Sequence, residues 1–509
     1  MQHALVWFKR DLRVRDHLPL SKAASMGRVS CVYFIEPDLW QAKDAATQHY
    51  LFIIESLRAL STALKDLGLT LNVLVGHATD CLERIAARLP FDVLLSHEET
   101  GNDPSYQRDK AVAQWCRDRS IRWLELAQFG VKRGPHNRDT WKESWQAHMQ
   151  ASQIDVPTHI QGSGLSLRDP IPSPASLGLT DPDPPYRQKG GWHMGQQTLT
   201  EFLTDRSQQY RGGISSPLSA PTACSRISAY LSYGCLSLRE VYQTTQQQLS
   251  GLPAHAKRQR LGLNSFTSRL YWHCHFIQKL EDEPELEWRN LHRGYDGLRE
   301  NDWDDARFEA LVAGRTGWPL VDACVCMLNQ TGWLNFRMRA MLVSVAAHPL
   351  WLHWREVGHW LARQFLDYEP GIHWSQMQMQ SGTTGINVPR IYNPIKQAMD
   401  HDPRGVFVRR WLPAMRRVPQ TWIFEPWLMP ENLQIKYGVR VGQDIVTPVC
   451  DLELATRTAR SALFTRREQP AVKAGKRAIV RKHGSRKRLE PATPRPTADS
   501  KQTQLAWDF

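Results

Sequence analysis

Residues 4–13 read Ala-Leu-Val-Trp-Phe-Lys-Arg-Asp-Leu-Arg, an apolar run that passes directly into charged residues. Such a run is typical of a buried strand that delivers charged side chains to the carboxyl edge of a sheet. Four more apolar runs follow, separated by amphipathic segments such as residues 50–67. The predicted strands are Ala4–Phe8, Val29–Ile35, Leu69–Val75, Phe91–Leu95 and Ile121–Leu126. Strands that alternate with helices predict, for residues 1–150, an α/β domain with a doubly wound parallel sheet, whose ligands bind beyond the strand carboxyl ends.

Beyond residue 150 the pattern changes. Residues 151–195 are rich in Pro, Gly and Ser, which predicts a connector. In residues 196–430 the strand signal largely disappears and amphipathic segments dominate, so we expect a mostly α-helical domain. We assign residues 431–465 to a C-terminal extension. Residues 466–509 hold 12 Lys and Arg against 4 Asp and Glu, which predicts a disordered basic tail.

The composition excludes several classes of protein. The 509 residues are 41% apolar and 23% charged, without an apolar run of 18 residues or an N-terminal signal pattern. We therefore expect a cytoplasmic protein without membrane association. The nine cysteines include no C-x-x-C pair, so we expect reduced thiols and no metal site. A net charge of +13 favours a polyanionic partner, and the 20 tryptophans supply many flat, redox-capable rings.

Four motifs carry a family resemblance. Residues 7–13 read WFKRDLR, residues 224–234 CSRISAYLSYG, residues 314–323 GRTGWPLVDA and residues 331–339 TGWLNFRMR. Their order resembles the photolyase/cryptochrome family, whose patterns include W-F-R-x-D-L-R, T-S-R-L-S-x-Y-L-x-x-G and T-G-W-x-x-N-R-x-R. The resemblance extends over residues 3–427. It implies an antenna-type α/β domain followed by a helical domain that binds FAD and DNA.

The resemblance also implies which residues bind FAD. Small hydroxyl residues and backbone N–H groups of residues 224–228 would face the diphosphate, although Cys224 replaces the usual threonine and removes one hydroxyl. A reduced flavin held as an anion in a dry pocket needs fixed cations, and arginine stays charged when it is desolvated. Arg339 would pair with Asp367. The predicted FAD-binding residues are Tyr210, Cys224, Ser225, Arg226, Ile227, Ser228, Trp333, Arg337, Arg339, Asp367 and Glu369.

Tryptophans are the predicted catalytic residues. Trp354 lies in a W-R-E segment that matches the family and would refill the flavin by electron hopping. Trp303 would be the surface exit of this relay and Trp374 its flavin-proximal member, and both placements need gaps in the comparison. Trp272 would stack on a flipped-out lesion. The alternative for each of these residues is ordinary core packing.

Two departures from the family pattern leave questions open. From Asp367 the chain reads DYEPGIHWS where photolyases read D-G-D-L-x-x-N-N-G. Counting forward places His373 at the asparagine that faces flavin N5, whereas counting back from the R-I-Y-N-P segment gives Gly371. His373 is then either a proton donor to the flavin or a satisfied core residue. On the helix that contacts damaged pyrimidines, Arg269 replaces a glutamate and His273 an arginine, so the lesion type stays open.

The tail predicts two partners. Its basic run, residues 473–488, attracts phosphate without regard to base sequence. The last six residues, QLAWDF, resemble the peptide by which bacterial repair proteins dock on the DNA polymerase sliding clamp. The anchors would be Gln504, Leu505, Trp507 and Phe509.

These features predict an FAD-dependent, light-driven DNA photolyase, a lyase of the deoxyribodipyrimidine type. It would repair UV-induced pyrimidine photoproducts by electron transfer from reduced flavin. The alternatives are a cryptochrome-like blue-light photoreceptor without repair activity and a flavin-free DNA-binding scaffold. The resemblance further implies an antenna chromophore, either folate, deazaflavin or another. We expect a monomer that binds UV-damaged DNA and is nucleoid-associated when bound.

Overall fold

A computed structural model describes residues 2–386 and 388–484. The N-terminal part contains a parallel sheet with the strand order β3-β2-β1-β4-β5, and β6 pairs with β2. The chain winds outward from β1 in both directions, as predicted. The strands are β1 (Gln2–Phe8), β2 (Gly27–Ile35), β3 (Leu71–Val75), β4 (Val93–His97), β5 (Arg122–Leu126) and β6 (Gln161–Gly162).

Helices cover both faces of the sheet. Val6 and Phe8 of β1 belong to one buried apolar cluster, whereas Leu5 and Trp7 belong to another on the opposite face. Since both faces are buried, the strands are continuous apolar runs rather than alternating ones. The helices of this part are α1 (Leu18–Met26), α2 (Pro37–Trp40), α3 (Thr47–Asp66), α4 (Ala78–Arg88), α5 (Asp103–Asp118) and α6 (Trp141–Gln150).

The second part is helical, which confirms the predicted fold class. Its longest helix, α12, packs against α8 and α17, and α15 and α16 pack against α17. The helices are α7 (Trp192–Glu201), α8 (Ser207–Gly213), α9 (Ala220–Ala223), α10 (Ser228–Ser232), α11 (Leu238–Gly251), α12 (Lys257–Asp282), α13 (Asp305–Val312), α14 (Pro319–Thr331), α15 (Phe336–Ala347), α16 (Trp354–Gln364), α17 (Pro370–Ser381), α18 (Pro394–His401), α19 (Val406–Trp411) and α20 (Glu431–Tyr437).

The C-terminal boundary differs from the predicted one. The prediction of disorder from residue 466 is corrected for residues 466–484, because α21 (Leu452–Glu468) continues past that point and α22 (Pro470–His483) follows. Pro470 suits the first turn of a helix, and Val472 is buried against Gly294. This contact is hard to predict because lysines and arginines dominate the segment. Residues 485–509, which carry the predicted clamp peptide, lie outside the described residues.

The charged residues that follow β1 are buried instead of solvated. The ammonium of Lys9 lies 3.0 Å from the Asp109 carboxylate, and Asp11 bonds to His17 at 2.8 Å. Arg10 reaches across to Glu369 of the helical part at 2.8 Å. The opening motif therefore fastens the sheet to the helical part.

Two further observations concern the state of the cysteines and the hydropathy of the helices. The nine cysteines are free. Within the described ranges, none of the helices combines the length and the apolarity that a bilayer-spanning helix needs.

Candidate functional site

A cavity of about 290 Å³ lies within the helical part. Its walls come from the loop before α10, from one face of α12, from the start of α15 and from the segment that leads into α17. We call it the central cavity. The lining residues that were predicted to bind FAD are Tyr210, Cys224, Ser225, Arg226, Ile227, Ser228, Trp333, Arg337, Arg339 and Asp367; Trp272 also lines it. The fold thus brings together residues that are more than 150 positions apart in sequence.

The loop of residues 224–228 has an unusual backbone. Arg226 has a φ of 63°, in the left-handed region that non-glycine residues rarely adopt. The Arg206 guanidinium, from outside the cavity, donates to the Ser225 carbonyl at 3.2 Å and also to the carbonyl of Cys224. The Arg226 guanidinium stacks over the Trp333 ring at 3.8 Å. Burial lowers the pKa of Arg226 to about 10, so the side chain keeps its charge at neutral pH.

A second arginine forms an ion pair at the cavity wall. The Arg339 guanidinium contacts both carboxylate oxygens of Asp367, at 2.9 and 3.0 Å. Burial alone would raise the pKa of Asp367, but the charge of Arg339 outweighs it and the pKa is lowered. The Arg339 Nε also donates to the Leu334 carbonyl at 2.7 Å. This bidentate geometry fixes both side chains.

The charge of the lining suits an anionic ligand. Among the described lining residues, four arginines face one carboxylate, which leaves a net of three positive charges; the arginines are Arg226, Arg269, Arg337 and Arg339. Burial raises the pKa of the Cys224 thiol to about 12, so it adds no negative charge. The diphosphate of FAD is anionic, and a reduced flavin adds negative charge. The donor set therefore fits FAD.

One face of α12 forms another wall of the cavity, and it carries Arg269 together with aromatic side chains. Trp272 and Phe276 stack at 5.7 Å between ring centroids, and both line the cavity. Burial raises the pKa of the Tyr210 hydroxyl to about 12, and Arg269 lies in hydrogen-bonding contact with it. His273 lines the same wall. An aromatic platform thus shares a cavity with the cationic loop.

The predicted relay residues lie away from the cavity lining. Trp354 and Trp374 contact each other at 6.0 Å between ring centroids, and the Trp354 Nε1–H donates to Asn290 at 2.8 Å. Trp303 packs on Phe308 at 5.0 Å and donates to Asp305. The structure therefore brings two of the three relay residues into ring contact, and Trp303 packs at the margin of the same apolar cluster.

The structure also resolves the register of α17. Ile372 and Gln376 of α17 line the central cavity, whereas neither His373 nor Gly371, the two residues to which the sequence counts led, does so. The His373 ring lies outside the lining, and its Nε2 donates to the Gly358 carbonyl at 2.9 Å. Burial lowers the pKa of His373 to about 4, so the ring is neutral. Neither Ile372 nor Gln376 was identified from sequence, because neither residue type signals flavin chemistry.

Glu369 lies in another place than predicted. It is buried and pairs with Arg10, and Arg10 lines a second cavity of about 160 Å³ at the carboxyl edge of the sheet. Tyr368, also in that lining, donates its hydroxyl to Asp44 at 2.6 Å. We call this the edge cavity. Glu369 therefore joins the two parts of the chain there.

Comparisons with known proteins agree with this architecture. A model described as "DNA photolyase" matches residues 4–129, and one described as "FAD binding domain of DNA photolyase" matches residues 266–465. A cryptochrome DASH of Gloeobacter violaceus is 28% identical over 90% of this chain and 95% of its own length. A deoxyribodipyrimidine photo-lyase of Vibrio cholerae is 27% identical over 86% and 96%. The fold also matches a bacterial class III photolyase from Agrobacterium tumefaciens, with a TM-score of 0.80, 24% identity and coverage of 92% and 98%.

A parallel sheet followed by a helical domain with a cation-rich cavity defines a two-domain flavoprotein with an FAD-binding helical domain. The chain belongs to the photolyase/cryptochrome family. Relatives named photolyase and relatives named cryptochrome occur at similar identity.

Proposed function

We propose that this protein is a light-driven DNA photolyase that repairs UV-induced pyrimidine photoproducts. One observation carries the proposal: the arginines that suit FAD and the Trp272 platform that suits a flipped base line one cavity. Electron transfer to a base stacked there needs no intervening protein. When bound, FAD absorbs blue light and supplies one-electron chemistry. Since light provides the driving force, no acid–base pair is required for a cyclobutane substrate.

The chain's own residues would hold the cofactor and the base. Arg226 and the backbone of residues 224–228 would bind the diphosphate, and Arg337 with the Arg339–Asp367 pair would stabilise negative charge on the flavin. Trp272 would stack on the flipped base, an interaction worth about 1–3 kcal/mol per base. Phe276 is buried and Trp272 half-buried, so the aromatic wall of α12 shields one side of the cavity from water, which strengthens these interactions.

The Trp354–Trp374 pair would carry electrons toward the flavin, with Trp303 as the exit. His373, which bonds to Gly358, would support the relay by fixing α17 against α16. Trp303→Phe should slow light-driven reduction of bound FAD, whereas Trp427→Phe, outside this set, should leave it unchanged. Equal rates in the two variants would remove Trp303 from the relay.

The test of repair is the disappearance of lesions under blue light. Duplexes that carry a cyclobutane dimer or a (6-4) product are incubated with the FAD-loaded chain, with a dark control. Trp272→Ala should lower the rate by about 10- to 100-fold, as the loss of base stacking predicts. Trp427→Ala is the matched control, since Trp427 lines a groove remote from α12. If neither lesion declines, the chain is no photolyase.

A cryptochrome-like photoreceptor is the second candidate. Ile372 and Gln376 occupy the cavity wall of α17, and Arg269 replaces the carboxylate of the lesion helix. Both departures weaken the inference of dimer repair. The photoreceptor would show blue-light-dependent changes in protease cleavage near α22 with no change in lesion content. The flavin-free scaffold is separated from both by whether the purified protein is yellow.

The edge cavity is the proposed antenna site. It lies beyond the carboxyl ends of β1, β2 and β4, where the strand order reverses and doubly wound sheets bind ligands. Trp7, Tyr33 and Trp40 contribute rings to it. A folate, a deazaflavin or another chromophore bound there would show its own absorption band in the purified protein. Excitation in that band should sensitise the flavin.

The basic C-terminal segment is proposed to add affinity for DNA. Lys476, Arg477 and Arg481 of α22 would attract phosphate, with a binding constant that falls as salt rises. Binding of the sliding clamp through Gln504–Phe509 is tested by a pull-down with the purified clamp. The chain cut after Lys501 is the control, and equal capture of both forms refutes clamp binding.

A further inference from the structure

Four side chains on one face of α12 point to a substrate preference. Arg269, Trp272, His273 and Phe276 follow the spacing i, i+3, i+4 and i+7, and all four line the central cavity. Trp272 and Phe276 supply the rings. Arg269 and His273 are the polar groups that this helix offers to whatever stacks there.

The two polar groups differ in hydrogen-bonding capacity. A guanidinium only donates, and it does so through a planar fork. The His273 Nε2 is buried and has no hydrogen-bond partner among the described residues. Burial, together with the charge of Arg10, lowers the pKa of His273 to about 4, so the imidazole is neutral and offers one donor and one acceptor. No carboxylate on this face is available to accept an N–H from a base.

This polarity distinguishes the two main pyrimidine photoproducts. Both rings of a cyclobutane dimer keep an N3–H donor, which a carboxylate would accept. The 3′ ring of a (6-4) product is a pyrimidinone, with O2 and N3 as adjacent acceptors and no ring N–H donor. An arginine fork pairs well with two adjacent acceptors on a base. In a dimer ring the N3–H lies between the O2 and O4 acceptors, so the same fork can pair with one of these oxygens and its second donor is left unpaired, which is costly in a buried site.

We propose that Arg269 selects the (6-4) product over the cyclobutane dimer. This inference rests on the proposed function, because it assumes that the central cavity receives a flipped photoproduct. Arg269 pairs with the acceptors of the pyrimidinone ring, and His273 bonds to the same lesion through its buried nitrogen. The alternative role for Arg269 is a general contact to DNA phosphate, which would favour no lesion.

The experiment measures binding in the dark, so it does not depend on turnover. The FAD-loaded full chain is titrated against duplexes with a (6-4) thymine product, a cis-syn cyclobutane dimer or an intact TT step, with fluorescence anisotropy as the readout. We expect the (6-4) duplex to bind more tightly than the dimer duplex by about 5- to 100-fold. Arg269→Glu should abolish or invert that ratio. Arg258→Glu, the same charge change at an exposed position of α12, should weaken all three duplexes alike.

The outcomes separate this inference from the proposed function. If wild type binds no damaged duplex better than the intact one, lesion binding itself fails. If it binds the dimer best, or if Arg269→Glu weakens all three duplexes equally, lesion binding stands and the selection by Arg269 is refuted. Because Arg269 contacts Tyr210, flavin absorbance is checked in each variant. His273→Phe provides an independent measurement: it should weaken both damaged duplexes several-fold and leave the ratio between them unchanged, because a neutral imidazole can bond to either lesion.

Discussion

The two cavities differ in how their cations are used. In the edge cavity, Arg10 pairs with Glu369, and Arg108 contacts Glu36 and Glu99. In the central cavity, four arginines share one carboxylate, Asp367. A cation that is paired with a carboxylate attracts phosphate only weakly. A lining with more cations than carboxylates attracts phosphate more strongly. The central cavity is therefore suited to an anionic cofactor and the edge cavity to a ligand without phosphate.

The same contrast separates two neighbouring acidic residues. Asp367 and Glu369 are two positions apart, yet Asp367 lines the central cavity, whereas Glu369 pairs with Arg10, which lines the edge cavity. The chain passes between the two sites at this point, immediately before α17. Residue identity alone does not assign an acidic residue to a cofactor site, because the turn of the backbone decides which cavity it enters.

The largest expected effect is a loss of folding stability, which is compared between variants of Asp367 and Glu369. Asp367→Asn removes the partner of the half-buried Arg339, which should lower the free energy of unfolding by about 3 kcal/mol, the lower end of the range for a buried pair. Anionic FAD should recover part of this loss, since it brings negative charge beside Arg339. Denaturant unfolding with and without FAD measures both effects.

Glu369→Gln is the matched control. It removes the carboxylate partner of Arg10 and should also destabilise the chain, but FAD should recover none of that loss. The two cavities would not be independent if FAD rescued both variants to the same extent.

A smaller effect concerns cofactor affinity. Arg226→Gln removes one cation from the central cavity, and the loss of a charged hydrogen bond of about 1.5–3 kcal/mol should weaken FAD binding by about 10- to 100-fold. Quenching of flavin fluorescence measures the dissociation constant. Arg108→Gln, in the edge cavity, should leave that constant unchanged. An equal loss in both variants contradicts the division of roles.

Sequence alone predicted the fold and eleven of the residues that line the central cavity. The strands of the sheet were found because continuous apolar runs are a local signal, and residues 224–228 and 331–339 were found because their motifs are contiguous. The features that could not be predicted from the sequence depend on contacts between distant segments of the chain. The register of α17 could not be fixed by counting, because the chain differs in length from the family pattern before Arg390. Helix α22 was missed because its stability comes from packing against Gly294 and His292.

A pH effect is expected on the acid-rich side of the sheet. Burial raises the pKa of Glu281, near Arg133, to about 7. The folded chain then binds this proton more tightly than the unfolded chain, so the free energy of unfolding should fall as pH rises from about 4.5 to about 7. After allowance for partial exposure, we expect a loss of about 1–2 kcal/mol. Glu281→Gln should remove this part of the slope, whereas Glu453→Gln, on the exposed face of α21, should retain it.

The smallest expected effect concerns Tyr368, where the family pattern has glycine. Its hydroxyl donates to Asp44 in the edge cavity, and Asn102 donates to the same carboxylate at 2.9 Å. Tyr368→Phe should therefore cost only about 1 kcal/mol, because Asp44 keeps one donor. The dissociation constant of FAD should stay the same, since the hydroxyl faces away from the central cavity. If Tyr368→Phe weakens FAD binding, the central cavity and the edge cavity are coupled through the segment between Asp367 and Glu369.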